Sequence, residues 1–174
     1  MFLLDTSALS ALWNQDDSRH AEATAFKEQY AGQEQRLFVC VISLAEMQFG
    51  LNMYEARPPK PSQPALDAVR GRIQAAGTLS VPLEITRHVA IEQGRLRSKW
   101  AWKVAPHKAA QGKKLKGVPP ERWSDDWPAN TLQITENDIW IAAMALTHDL
   151  TLVTCDKDFD KLVQTDPNLR IMRF

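Results

Sequence analysis

Asp5, Glu46, Asp138 and Asp156 are the side chains whose type and placement suit chemistry. Asp5 follows the apolar run Phe2-Leu3-Leu4, and Asp156 follows Thr151-Leu152-Val153-Thr154-Cys155. Glu46 lies in Ser43-Leu44-Ala45-Glu46, just past the run Leu37 to Ile42, and Asp138 opens a stretch in which Ile139, Ala142, Ala143 and Leu146 recur at helical spacing. In open α/β sheets ligands bind beyond the carboxyl ends of the strands, so a parallel sheet would bring all four acids toward one edge. Four close carboxylates repel one another and resist ionising together unless cations compensate them. An all-oxygen ligand set favours a hard cation, so Mg²⁺ or Mn²⁺ fits better than zinc, for which no His/Cys cluster exists. Four negative charges match two divalent ions, which can activate a water, orient a phosphodiester and stabilise the leaving oxygen without a protein nucleophile.

Each acid also has a plain structural explanation. Asp5 and Asp156 can cap helices, Glu46 can complete a capping box with Ser43, and Asp138 can do the same with Thr135. Convergence is what would set a site apart from four separate caps.

The elements that must position these residues follow from periodicity. Phe2 to Leu4 reads as a buried strand, after which Asp5-Thr6-Ser7 offers capping oxygens to a helix through Ala8, Leu9, Leu12 and Trp13. Asp17 or Ser18 starts a second helix through Ala21, Ala25, Phe26 and Tyr30, with Gly32 placed to end it. Leu37 to Ile42 is continuously apolar, as a strand covered on both faces should be. A helix from Ser43 then carries Leu44, Met47, Leu51 and Tyr54 on one face. After the Pro-rich linker Arg57 to Pro64 comes a helix with Leu66, Val69, Ile73 and Ala76, and Thr78 to Val81 reads as a third strand. From Thr86 a helix runs through Val89, Gln93, Leu96 and Trp100. The segment 98–131 has no steady period, being punctuated by Pro106, Gly112, Gly117, Pro119, Pro120 and Pro128, and is expected to be an insertion. The helix after Asp138, a strand at Thr151 to Thr154, a short helix over Phe159, Leu162 and Val163, and a strand at Leu169 to Phe174 complete the order. The expectation is an α/β fold: one domain over 1–174, a five-stranded parallel sheet with helices on both faces, and an insertion before the late acidic helix.

Composition bounds the setting. A chain of 174 residues with 44% hydrophobic and 24% charged residues suits one soluble domain without disulfides. Cys40 and Cys155 are the only cysteines and sit in or beside apolar runs, which points to reduced core thiols and a cytoplasmic location. The N-terminal MFLLDTSALSALW has no basic leader and is broken by Asp5, so neither a signal peptide nor a spanning helix is expected. Net charge is zero, yet Arg87 to Arg122 holds ten Lys and Arg against Glu92 and Glu121, so neutrality conceals a basic region. His20, His88, His107 and His148 lie in no nucleophile motif, and neither a P-loop nor a dinucleotide fingerprint is present.

LLDTSA at the start, SLAE after the second strand, ENDIWIAA on the late helix and TCDKDF after the fourth strand together resemble the PIN domain, and within it the VapC-type ribonuclease toxins of bacterial toxin–antitoxin pairs. That resemblance spans nearly the whole chain apart from the insertion and the Pro-rich linker. It implies a Mg²⁺- or Mn²⁺-dependent endoribonuclease using two ions, a homodimer, and a small antitoxin that often places an Arg in the acidic pocket. By motif match Asp5, Glu46, Asp138 and Asp156 take the family's metal-binding positions, and Thr6 and Thr154 the positions that hydrogen-bond the acids. Asp158 either faces the pocket or caps the short helix after it.

Between Trp100 and Gln133 the sequence is longer than the family pattern. There Lys99, Lys103, Lys108, Lys113, Lys114 and Lys116 are candidates to engage RNA phosphates, and the tryptophans either stack on unpaired bases or pack the insertion onto the body. A phosphohydrolase on small phosphate esters would use the same acids without the basic segment. A non-catalytic RNA- or protein-binding module of the same fold would have no need of all four. Neutralising Lys113, Lys114 and Lys116 is expected to flatten the salt dependence of RNA binding, and an unchanged slope would remove the basic segment from the mechanism.

Overall fold

Leu3 and Leu4 are fully buried and Phe2 nearly so, and this run forms β1 (Phe2–Leu4). The computed structural model describes residues 1–31, 36–104, 106 and 134–174. In it β1 lies inside a four-stranded sheet completed by β2 (Leu37–Phe38), β3 (Thr151–Val153) and β4 (Ile171–Met172), in the order β2-β1-β3-β4. Every pairing is parallel. Phe2 is opposite Leu37 on one side and Thr151 on the other, Leu4 is opposite Val153, and Val153 is opposite Met172. The described residues fall into two compact units, the first comprising Met1–Glu84, Leu150–Cys155 and Ile171–Phe174, the second Ile85–Asp149 and Asp156–Arg170.

The first unit holds the sheet and four helices, α1 (Thr6–Trp13), α2 (His20–Ala31), α3 (Val41–Ala56) and α4 (Gln63–Gly77). Its core joins Phe2, Leu4 and Val153 from the sheet to Leu9 and Leu12 of α1 and Phe26 of α2. Phe2 meets Phe26 edge-on at 5.3 Å between ring centroids and Tyr30 at 4.7 Å, while Phe26 also meets Phe174 at 5.6 Å. Such aromatic pairs stabilise beyond their buried area, and here they tie α2 to both ends of the chain.

Two expectations are corrected in this unit. The run Thr78 to Val81 is not a strand among the described residues, so the sheet has four strands and not five. Val81 is 87% exposed, and the pairing falls instead on Leu83, whose N–H donates to Val39 O at 2.9 Å and whose carbonyl accepts from Val41 N at 3.0 Å. Pro82 has no N–H to give a ladder, which confines the contact to one parallel bridge between Leu83 and Cys40. The run Leu37 to Ile42 also divides: its strand ends at Phe38, and α3 begins at Val41 with the Cys40 carbonyl accepting from Leu44 N at 3.2 Å. β-Branched Val41 and Ile42 favour a strand locally, and tertiary context overrides that preference.

The second unit packs α5 (Arg87–Val104), α6 (Glu136–Thr147) and α7 (Phe159–Thr165). Val89, Leu96 and Trp100 of α5, Ile139 and Ala143 of α6, and Phe159 and Leu162 of α7 are all buried. Because α5 continues to Val104, residues 98–104 belong to a helix and not to the expected insertion. Trp100 packs inward at 1% exposure while Trp102 is 55% exposed, and Trp123 and Trp127 lie outside the described residues. After α6 the chain turns at Asp149, whose φ of 53° is one that Asp tolerates better than most side chains, and Arg170 Nη2 donates to its carbonyl at 2.6 Å and to its carboxylate at 2.7 Å. No described helix is long and apolar enough to cross a membrane.

Asp166, 1% exposed at the end of α7, is the charged centre of this unit. Its Oδ2 accepts from Arg95 Nη2 at 2.5 Å and Lys99 Nζ at 3.3 Å, and its Oδ1 accepts from Asn168 N at 3.2 Å. Burial pushes its pKa upward, but the hydrogen bonds from Arg95, Asn168 N–H and Lys99 outweigh it and hold the carboxyl below its usual range. A depressed folded-state pKa gives stability that is present above the unfolded value, about 3.9, and is lost as pH falls through the folded one. Asp166→Asn is expected to cost on the order of 2 kcal/mol near neutral pH, with the gap to the parent closing in acid. Urea titrations from pH 7 to 3 check this, and a gap that does not depend on pH would contradict it.

Candidate active site

Asp5 is 3% exposed, which for a carboxylate demands that every lone pair be answered. The sheet register supplies the first answer. Because Leu4 is opposite Val153, the next residues, Asp5 and Thr154, leave neighbouring strands side by side, and Thr154 Oγ1 donates to Asp5 Oδ2 at 2.5 Å. The start of α1 supplies the rest: Ala8 N donates to Oδ1 at 2.7 Å, and Ser7 Oγ lies 2.8 and 2.9 Å from the two carboxylate oxygens. Asp5 is therefore the N-cap of α1, where the positive end of the helix dipole favours a negative charge.

Ser7 also accepts from Cys155 N at 2.9 Å, so the first turn of α1 is pinned to the residue that follows Thr154. The sequence marks Ser7 only as a capping oxygen, whereas its hydroxyl joins both strand ends. The signal that could have found it is hydroxyl residues just past the ends of two strands paired in parallel register.

Thr6, one residue before Ser7, donates from Oγ1 to Glu46 Oε2. The capping box expected between Ser43 and Glu46 does not form, because the N-cap of α3 is Cys40, three residues before Ser43. Ser43 is already inside the helix, buried, with Oγ 3.4 Å from Cys40 Sγ, and Cys40 at the N-cap makes no side-chain capping bond. Glu46 is thus directed to α1 and not to its own helix end.

Asp138 and Asp156 belong to the second unit. The box between Thr135 and Asp138 does form: Asp138 Oδ2 accepts from Thr135 N at 2.7 Å and Thr135 Oγ1 at 2.8 Å, and Thr135 Oγ1 accepts from Asp138 N at 3.2 Å. Asp156 Oδ1 accepts from Asp158 N at 2.8 Å, an Asx-type turn rather than a helix cap. Asp158 occupies the N-cap position of α7 without a side-chain capping bond, and its carboxylate pairs with Lys161 Nζ at 2.9 Å.

Among the described residues no group of three or more His, Cys, Asp and Glu side chains is gathered to hold a metal ion. The donor set around Asp5 and Glu46 consists of carboxylates steadied by hydroxyls, and such oxygens fit a hard divalent cation rather than zinc. Neither thiol is a prepared nucleophile: burial pushes Cys40 up, and it also raises Cys155, with Arg19 opposing.

Of the candidate RNA contacts, Lys99 is paired with Asp166 and Lys103 Nζ donates to the Gln164 carbonyl, so both have partners inside their unit. Lys108, Lys113, Lys114 and Lys116 lie outside the described residues.

A model of the PIN domain family matches residues 2–164. Solved structures similar to this chain include VapBC2 from Rickettsia felis bound to a DNA fragment from its promoter, at 17% identity, TM-score 0.60 and coverage of 99% of this chain and 98% of that one. FitAcB from Neisseria gonorrhoeae matches at 19% identity, TM-score 0.63 and coverage of 99% and 96%. VapBC-5 from Mycobacterium tuberculosis, described as a member of the VapBC family of toxin–antitoxin systems, matches at 19% identity, TM-score 0.57 and coverage of 99% and 97%. No curated protein matches the chain.

Thr154→Val removes one donor from a buried carboxylate while keeping side-chain volume, and is expected to lower unfolding free energy by about 1.5–3 kcal/mol. Denaturant unfolding measures it. A neutral result would mean that Asp5 does not depend on the β3 hydroxyl.

Proposed function

The chain belongs to the PIN domain family, and from that premise we propose that it is a divalent-metal-dependent endoribonuclease, the toxin of a toxin–antitoxin pair. The observation that carries the reading is Asp5, a carboxylate buried at the end of β1 with donors on both of its oxygens. A cap needs only a half-exposed oxygen, and burying the charge is warranted where its orientation matters. Similarity in fold to the VapBC and FitAcB structures supports the toxin assignment.

Two Mg²⁺ or Mn²⁺ ions held by Asp5, Glu46, Asp138 and Asp156 would supply acidification of the attacking water and charge compensation at the phosphodiester. The chain's own part is orientation. Thr154 and Ser7 hold the Asp5 carboxylate in one rotamer, and Thr6 does the same for Glu46, so the acids are set before substrate arrives. An RNA substrate, a cognate antitoxin protein, a homodimeric state and a cytoplasmic location complete the proposal.

Asp138→Asn and Asp5→Asn are each expected to abolish RNA cleavage while the fold survives, and full activity in either refutes the assigned role. Either metal at a hundred times its dissociation constant should stabilise the chain by about 2.7 kcal/mol. A melting temperature indifferent to both ions would remove the preformed site from the reading.

A further inference from the structure

Between α1 and α2 the chain ties itself into a short, bonded turn. Asp17 N donates to Asn14 O at 3.0 Å, His20 N to Asp17 O at 2.9 Å, and His20 Nδ1 lies 2.9 Å from the Ala11 carbonyl. Within that turn Asp17 accepts three hydrogen bonds from Arg19. Asp17 Oδ1 accepts from Arg19 N at 2.9 Å and Nε at 2.9 Å, and Oδ2 accepts from Nη2 at 2.8 Å. The pairing pulls the Asp17 carboxyl down to about 2, so the clamp stays ionised at any ordinary pH.

The grip uses one edge of the guanidinium only. Asp17 occupies Nε and Nη2, and Nη1 makes no hydrogen bond among the described residues, while the Arg19 side chain is 39% exposed. The turn also has a defined neighbourhood. Arg19, Asp5 and Cys155 are close enough for the charge of Arg19 to bear on the other two, while its guanidinium is bound by Asp17 and Cys155 N–H is bonded to Ser7. A planar fork fixed on one edge presents its other edge, Nη1 with the second hydrogen of Nη2, in a geometry that matches two oxygens of a phosphate.

We propose that Arg19 is a phosphate-positioning residue: its outer edge takes a backbone phosphate of the strand bound at Asp5, and Asp17 fixes the orientation of the fork. The assignment rests on the nuclease reading and adds to it a substrate contact in the first unit, independent of the basic segment after α5. An ordinary surface ion pair, worth little to anything, is the alternative it must exceed.

The test measures binding of a single-stranded RNA oligonucleotide by fluorescence anisotropy over a salt series, with cleavage silenced by Asp138→Asn. Adding Arg19→Ala should weaken binding about tenfold and reduce the slope of log affinity against log salt by about 0.7. Arg19→Lys should keep the slope, which reports charge, and recover only part of the affinity, which also reports the fork. Melting temperatures are compared alongside, and if Arg19→Ala does not fold, Arg19→Lys decides by its affinity alone. Unchanged affinity and slope in a folded Arg19→Ala, beside a parent that binds RNA, overturns the role of Arg19 and leaves the nuclease reading standing. A wild-type chain that neither binds nor cuts RNA overturns the nuclease reading, and this contact with it.

Discussion

A buried carboxylate, Asp5, is the constraint on which the first unit depends. Asp5 ends the innermost apolar strand, and removing an ionised carboxylate from water is prohibitive unless hydrogen bonds replace the lost hydration. Its donors come from two places: the Thr154 hydroxyl beyond β3, and the Ser7 hydroxyl and Ala8 N–H in the first turn of α1. Satisfying Asp5 thus requires the β1–β3 register, the start of α1 and the exit of β3 to be right together. A slip of one residue would turn Thr154 to the opposite side of its strand and leave the charge under-satisfied.

Much of this was legible in the sequence because it rests on short-range chemistry. The run Phe2 to Leu4, the capping residues Asp5 and Thr135, and the α6 helix with its apolar face are patterns in which local preference and final structure agree. What failed did so where tertiary context decided. Leu37 to Ile42 reads as one strand, yet its last two residues became the start of α3, and with that shift the Ser43 box vanished and Glu46 takes the Thr6 hydroxyl. Thr78 to Val81 looks like a strand by side chain, but Pro82 withholds a donor, and beside Cys40 the backbone pairing falls on Leu83, with the Ser80 hydroxyl accepting from Val39 N. Those two errors share a cause: β-branched and apolar composition records suitability for a pleated surface, not where hydrogen bonds will be made.

Charge shows the same limit. A neutral total with a basic stretch suggests a reservoir of cations for a polyanion, but charge counted along a chain does not separate cations already committed from those available. Arg95 and Lys99 are drawn onto Asp166, and Lys103 onto a carbonyl at the end of α7. They hold their unit together, and their long stems and partial exposure would have read as solvated basic surface. Arg19, by contrast, sits outside the basic stretch and next to an acid, where a net-charge count treats it as cancelled. Its geometry says otherwise, because an ion pair neutralises charge without using every donor of a guanidinium.

Capping and chemistry are compatible roles for Asp5 and Asp138. Asp5 caps α1, and Asp138 is the N3 partner of Thr135 in the capping box of α6. A cap fixes a carboxylate at a helix N-terminus with its rotamer set and its charge favoured by the dipole, and those are also the properties a ligand for a hard cation needs. Finding the cap therefore does not lower the standing of the residue as a site. What separates the two roles is the investment around the carboxylate: Asp138 is half-buried and bonded within its own box, whereas Asp5 is buried and answered by a second strand. Helix stability alone would be served by the first arrangement. Only the second, which costs desolvation and demands long-range register, has no explanation in the helix that it caps.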